Sequence, residues 1–204
     1  MARPRRSEST REALIEAGII QLSANGYHGT GIKQILDEVK VPKGSFYNFF
    51  ASKEAFVAEL IKAYSLDLVR QIQLFFAQDG AQLNAFEKLK SITVFSLLKY
   101  EKLAFKHSCL IATLSADIDE DNVQCQAALN KSVTECLALF TQLLETAQDE
   151  GSIRKDIKAH QLAQLYWSTW QGVLLRMRVS KNRQEAQESM FLLLETLFIV
   201  PKGL

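Results

Sequence analysis

The residues with the clearest chemical potential lie close together early in the chain. Lys43, Gly44 and Ser45 follow Val41-Pro42, and Tyr47 and Asn48 come directly after Phe46. They combine an ammonium, a hydroxyl, a phenol and an amide around a glycine with no side chain to hold a partner away. Ser45 and Tyr47 suit phosphate oxygens, while Lys43 and Asn48 can reach phosphates or base edges in a major groove. The chemistry expected here is non-covalent recognition of duplex DNA. A second centre is Cys109, which follows Lys106-His107-Ser108 and opens a predicted helix. A helix N-terminus and nearby cations both lower a thiol pKa and raise its reactivity. The same cysteine fits equally well as a small buried hydrophobe.

Other chemistries find little support. Cys125 and Cys136 stand on one predicted helix, eleven residues apart. That is about 16 Å along the axis, too far for a disulfide within the helix, and both are expected in the core. His28, His107 and His160 are isolated, and Lys106-His107-Ser108-Cys109 is not zinc spacing. No Ser/His/Asp array, nucleotide loop or glycine fingerprint occurs. The expectation is a protein that is not an enzyme, with no metal and no cofactor.

Composition sets the frame that must position these groups. The chain has 204 residues, is 48% hydrophobic and carries a net charge of +1, so overall charge says nothing about a polyanionic partner. Its distribution does: Arg3, Arg5, Arg6 and Arg11 face a single early acid, Glu8. Such an arm either pairs with phosphates or is a solvated tail. The three prolines are Pro4, Pro42 and Pro201, which leaves 43–200 free of helix breakers and points to an all-α protein. Three cysteines with no paired framework, and no signal-type apolar run, suggest a reducing cytoplasm. The most apolar late segment, Met190 to Val200, contains Glu195 and is too short to span a bilayer.

Periodicity then gives the elements. A first helix is expected from about Ser7–Ser9, with Ser9 and Glu12 in capping-box spacing and Asn25-Gly26 as its end. Ile32, Ile35, Leu36 and Val39 mark a short second helix, broken at Val41-Pro42. Pro42 suits the first turn of a third helix, anchored by Phe46, Phe49 and Phe50. Ser52 is the expected N-cap of a long fourth helix. Further helices are expected at about 82–103, 121–149, 158–180 and 184–199, with an apolar segment from Cys109 to Ile118. No linker is visible, so the domain boundary should lie on a continuous helix. The division is 1–51, carrying a helix-turn-helix at about 31–50, and 52–204.

Three further runs complete a pattern. Thr30-Gly31-Ile32-Lys33-Gln34-Ile35-Leu36, Val41-Pro42-Lys43-Gly44-Ser45-Phe46-Tyr47-Asn48-Phe49-Phe50 and Ser52-Lys53-Glu54-Ala55-Phe56 together resemble the TetR regulator signature over roughly residues 10–60. The resemblance implies an N-terminal three-helix helix-turn-helix domain, fused through the long fourth helix to a C-terminal helical domain that binds a ligand and dimerises. It implies phosphate contacts by Thr30, Lys33, Tyr47 and Lys53, with Lys43, Gly44 and Ser45 facing the groove and Asn48 near bases or backbone. Asn48 stands where the family often has His, which bears on operator sequence.

The same resemblance implies a cytoplasmic homodimer that represses from palindromic operator DNA and releases it on binding a small-molecule effector. Tyr166, Trp170, Val173, Leu174 and Met177, with Phe191, Leu194 and Phe198, recur at helical spacing as a dimer surface or as internal core. Phe95, Leu98, Tyr100, Phe105, Trp167 and Trp170 could line an effector cavity or be plain core. Ser108-Cys109-Leu110 with Leu114-Ser115-Ala116-Asp117 is similar to a TetR subgroup that responds to electrophiles and oxidants. There Gly usually precedes the Cys, and a cooperating lysine is replaced here by Arg178. A helical small-molecule carrier or enzyme, with the N-terminal unit as scaffold, is the competing function; it needs a catalytic constellation that the sequence does not offer.

Overall fold

The computed structural model describes residues 6–78 and 80–199. These residues contain nine helices and no strand: α1 (Arg6–Asn25), α2 (Ile32–Val39), α3 (Lys43–Phe46), α4 (Lys53–Ala77), α5 (Ala85–Lys102), α6 (Leu110–Ser115), α7 (Val123–Asp149), α8 (Ala159–Ser180) and α9 (Arg183–Leu197). The all-helical expectation holds. Arg3 and Arg5 of the basic arm lie outside the described residues. No helix among the described residues is long and apolar enough to cross a membrane.

The chain divides into two compact units. One joins Met1–Leu66 to Cys109–Val133, the other Asp67–Ser108 to Thr134–Leu204. Both α4 and α7 run on from one unit into the next.

In the first unit, α1 buries Leu14, Ala17 and Leu22 and ends where Gly26 takes φ +73°, its N–H bonding the Leu22 carbonyl at 2.9 Å. Only glycine adopts that conformation freely. Ser9 lies inside α1 rather than capping it, because the helix already runs from Arg6. α2 starts without a capping hydroxyl. Gln34 reaches back instead, its Oε1 accepting from the Gly31 N–H at 2.8 Å. Lys40 turns the chain out of α2 at φ 59°, and Pro42 stands just before α3 rather than within its first turn. The regular part of α3 is one turn long. The amides of Phe49 and Phe50 continue the coil by bonding the Phe46 carbonyl at 2.9 and 3.0 Å. Phe46, Phe50 and Phe56 then form a triangle with ring centroids 4.6–5.3 Å apart. Burying each such side chain contributes about 2–3 kcal/mol, which is what fixes so short a helix against α4. Ser52 caps α4 as expected, its Oγ accepting from the Ala55 N–H at 3.0 Å.

In the second unit, α5 starts at Ala85. Asn84 and Glu87 exchange cap bonds of 2.9 and 3.3 Å there, so the helix begins later than the apolar pattern alone suggested. Its buried face, Leu89, Ile92, Thr93 and Leu97, packs towards α9. Thr93 Oγ1 and the Tyr166 hydroxyl share a buried hydrogen bond of 2.9 Å, and Phe140 lies 4.8 Å from the Tyr166 ring. Gly151 (φ +71°) follows the end of α7, and Lys181 (φ 55°) turns α8 into α9.

Candidate DNA-binding surface and effector region

The outward face of α3 follows from the burial of its inward one. With Phe46 and Phe50 at 0% and 2% exposure, Tyr47 and Asn48 between them point to solvent and Phe49 is half-buried. Lys43, Gly44, Tyr47 and Asn48 are exposed, and Ser45 is partly so. Tyr47 keeps 56% of its surface in solvent, and its ring stands at 88° to that of Phe46 with centroids 5.3 Å apart. A Cβ built on Gly44 meets nothing within 4 Å, so the backbone there can be approached closely from outside. Lys33 is exposed on α2. The six residues from Lys33 to Asn48 that carry these groups therefore share one unit and one short stretch of chain.

Two of the expected phosphate ligands sit differently. Thr30 is 1% exposed and its hydroxyl donates to the Gln21 carbonyl at 3.3 Å, so that hydroxyl braces the turn between α1 and α2. Lys53 is partly buried. Its Nζ donates to the Tyr27 carbonyl at 2.6 Å and stands 4.4 Å from the centre of the Tyr27 ring. Burial pulls its pKa down, against the nearby carboxylate of Asp117, which favours the charged form. Asp117 itself drew attention in the sequence only as part of a longer motif. It stands just past α6, and its Oδ2 accepts from the backbone N–H groups of Tyr27 and His28, the latter at 3.0 Å. The signal available in advance was weak: an acid after an apolar helix reads as solvated surface.

Cys109 occupies the N-cap of α6 with 1% exposure. Burial pushes its thiol pKa up, although hydrogen bonds from Ala112, Tyr64 and Ile111 favour the thiolate. The depressed pKa expected from the helix N-terminus is thus reversed, because desolvation of the sulfur outweighs those donors. Cys125 and Cys136 are buried as expected, and burial, with Glu54 nearby, pushes Cys125 up to about 11.

The six aromatic and aliphatic residues expected around an effector fall on α5, in the turn after it and on α8. Phe95 and Leu98 lie on the outer face of α5, at 47% and 36% exposure. They line an open groove of about 580 Å³ with Leu83, Val94, Phe191 and Lys90. Trp167 and Trp170 lie on the inner face of α8. Trp170 meets Tyr100 at 6.4 Å, and Trp167 packs on Phe140 with its indole N–H unbonded. Phe105 sits in the turn after α5 at φ 56°, its carbonyl accepting from Lys181 Nζ at 3.3 Å.

Comparison with known proteins decides the family. The model for bacterial regulatory proteins of the tetR family matches residues 14–60, and that for the tetracyclin repressor-like C-terminal domain matches residues 85–191. The chain belongs to the TetR family. Among TetR-family relatives it is 28% identical over 187 residues to the HTH-type transcriptional repressor DhaR of Mycobacterium sp., covering 92% of this chain and 91% of that protein. To the transcriptional regulator AcuR of Cereibacter sphaeroides it is 30% identical over 171 residues, covering 82% and 76%. The crystal structure of a regulatory protein TetR from Rhodobacter sphaeroides superposes with a TM-score of 0.84 at 27% identity, covering 93% of this chain and 99% of that one. As a TetR-family member the chain is a DNA-binding transcriptional regulator, and the matched N-terminal range includes α2, α3 and the start of α4.

Within the TetR-family C-terminal domain, the residues expected at a dimer surface face inward. Tyr166, Trp170, Val173, Leu174, Met177, Leu194 and Phe198 are all under 10% exposed in the single chain, and Phe191 is partly exposed. Their regular spacing is that of the core stripe. The opposite stripe of α8 carries Leu165, Leu175 and Val179, at 40%, 42% and 84% exposure, around the exposed Gly172. Leu192 of α9 is 66% exposed.

Proposed function

We propose that this regulator is a repressor that binds a palindromic operator as a homodimer and is released from it by a small-molecule or electrophile/oxidant signal. Residues 1–51 carry DNA binding, joined by Lys53 at the start of α4, and 52–204 carry dimerisation and effector response. The observation that carries the DNA-binding half is the exposed face of α3, where Lys43, Tyr47 and Asn48 surround a glycine with open space above it. A major groove admits such a helix, and a glycine lets its backbone approach phosphates. Lys33 and Lys53 flank that face as phosphate ligands. Lys53 retains two of its three N–H donors after bonding Tyr27, and the Arg3, Arg5 and Arg6 arm adds charge. The repressor reading follows the likeness to DhaR, a transcriptional repressor. The chain works in the cytoplasm and performs no catalysis of its own.

The experiment is a titration of the full-length protein against a labelled duplex from its own upstream region and against random duplex, at several salt concentrations. Specific binding should exceed random binding by about 10³-fold or more. Lys53→Ala should weaken both and lower the salt slope by about 0.9, the loss of one phosphate contact. Equal affinity for the two duplexes would sink the reading.

A further inference from the structure

We infer that Asp117 is a positioning residue for DNA binding: its carboxylate holds the turn between α1 and α2 so that the Tyr27 carbonyl aims Lys53 at a phosphate. The inference rests on the reading of Lys53 as a phosphate ligand, and adds a residue far along the chain that makes that contact effective.

The geometry is a relay of three bonds within one compact unit. Asp117 Oδ2 accepts from the N–H groups of both Tyr27 and His28. Two donors on one carboxylate oxygen are charge-assisted bonds, roughly twice as strong as neutral ones. They fix the peptide planes on either side of Tyr27. The Tyr27 carbonyl then accepts from Lys53 Nζ at 2.6 Å, and the Tyr27 ring lies beneath the same ammonium. Lysine has a long flexible stem, and its free ammonium samples many positions. One short bond and one ring face reduce that freedom while leaving two donors for a phosphate.

Neighbouring features keep the carboxylate in place. A Cβ on Gly26 would lie 2.5 Å from Asp117 Oδ2, so the absent side chain makes room for the carboxylate, and its positive φ delivers the next two amides to it. The Tyr27 hydroxyl donates to Asn122 Oδ1 at 2.9 Å, which anchors the far end of the ring. Asp117 itself is joined to α6 through its N–H, which bonds the Leu114 carbonyl at 3.2 Å, and Leu110, Ile111 and Leu114 are fully buried. Asp117 therefore stands in the turn that closes α6, tied back to that buried helix.

The test compares wild type, Lys53→Ala, Asp117→Ala and the double variant, each titrated as full-length dimer with the upstream duplex over a range of salt. Asp117→Ala should weaken binding roughly three- to tenfold and lower the salt slope towards that of Lys53→Ala. The double variant should bind no more weakly than Lys53→Ala by more than about twofold, because the aspartate acts through the lysine. An unchanged affinity and slope in Asp117→Ala, or losses that add in full, would overturn the inference while leaving Lys53 as a phosphate ligand. If Lys53→Ala itself binds as wild type does, the phosphate reading fails and the relay fails with it. Should Asp117→Ala not fold, the nearly isosteric Asp117→Asn takes its place, with a smaller loss of affinity and slope expected and wild-type values again overturning the inference.

Discussion

At the scale of single residues, a polar group in solvent keeps its hydrogen-bonding capacity for a partner molecule, whereas one inside the protein is already bonded. Lys43 and Gly44, ahead of Phe46, and Tyr47 and Asn48, between the buried Phe46 and Phe50, are exposed. Thr30 and Lys53 were expected to serve a ligand, and both already hold partners within the protein. No local pattern reveals that, because Gln21 and Tyr27 reach them only once the chain has turned. Cys109 shows the same limit. Its place at the start of a helix was legible, but its burial depends on packing around α6, and burial reverses the effect of the helix terminus on its thiol. A buried, protonated thiol reacts slowly. In native protein at pH 7.5, Cys109 should be alkylated by iodoacetamide about 100-fold more slowly than a free thiol, and at the ordinary rate after unfolding in urea. Peptide mass mapping measures this directly. Fast native labelling of Cys109 would show that the sulfur is accessible, and would favour its role as a direct sensor over one that requires prior opening.

At the scale of elements, helix positions were legible because a 3.6-residue apolar repeat survives any tertiary arrangement. The starts of α8 and α9 fall within one residue of expectation. Errors gathered at caps, where two signals compete. Ser9 and Glu12 have the spacing of a capping box, yet α1 runs through them; Asn84 and Glu87 make that box for α5. Ser52 is the cap read correctly, and it matters most because α4 carries Lys53 in its first turn. Replacing a capping serine by alanine costs about 1 kcal/mol. Ser52→Ala should therefore lower the urea midpoint by an amount equivalent to about 1 kcal/mol at unchanged m-value. It should also weaken DNA binding by fraying the turn that holds Lys53. A midpoint equal to wild type would mean that the bond from Ala55 to Ser52 contributes nothing in solution.

At the scale of the whole molecule, the expected division placed everything from Ser52 onward together. The compact units instead join Cys109–Val133 to the N-terminal segment. That association rests on pairs such as Tyr27 with Asn122 and Glu54 with the Gln124 N–H, the latter at 2.8 Å. They are separated by 95 and 70 residues, beyond the reach of any periodicity argument. All but Phe191 of the residues expected at a dimer surface or in the internal core are buried in the single chain. Large apolar residues mark the stripe a helix buries first, so Tyr166, Trp170 and Met177 lie in the single chain's own core. What remains on α8 is Leu165, Leu175 and Val179 around Gly172, apolar groups in water along one side of the helix. Exposed apolar side chains at this helical spacing suit a contact surface, and the small Gly172 leaves room for a second helix. In a two-fold dimer each substitution on that stripe is introduced twice and faces its own copy or a neighbour of it. Leu175→Asp with Val179→Asp should thus place four carboxylates in the interface, where burial and mutual repulsion oppose association. Sedimentation should show the mass fall from dimer to monomer, with helical content retained because neither side chain contributes to the core. Operator affinity should fall by at least about 100-fold, since one recognition helix contacts only half a palindrome. If the double variant remains a dimer, the subunits meet elsewhere, and the stripe on α8 is not the surface that sets the spacing of the two α3 helices.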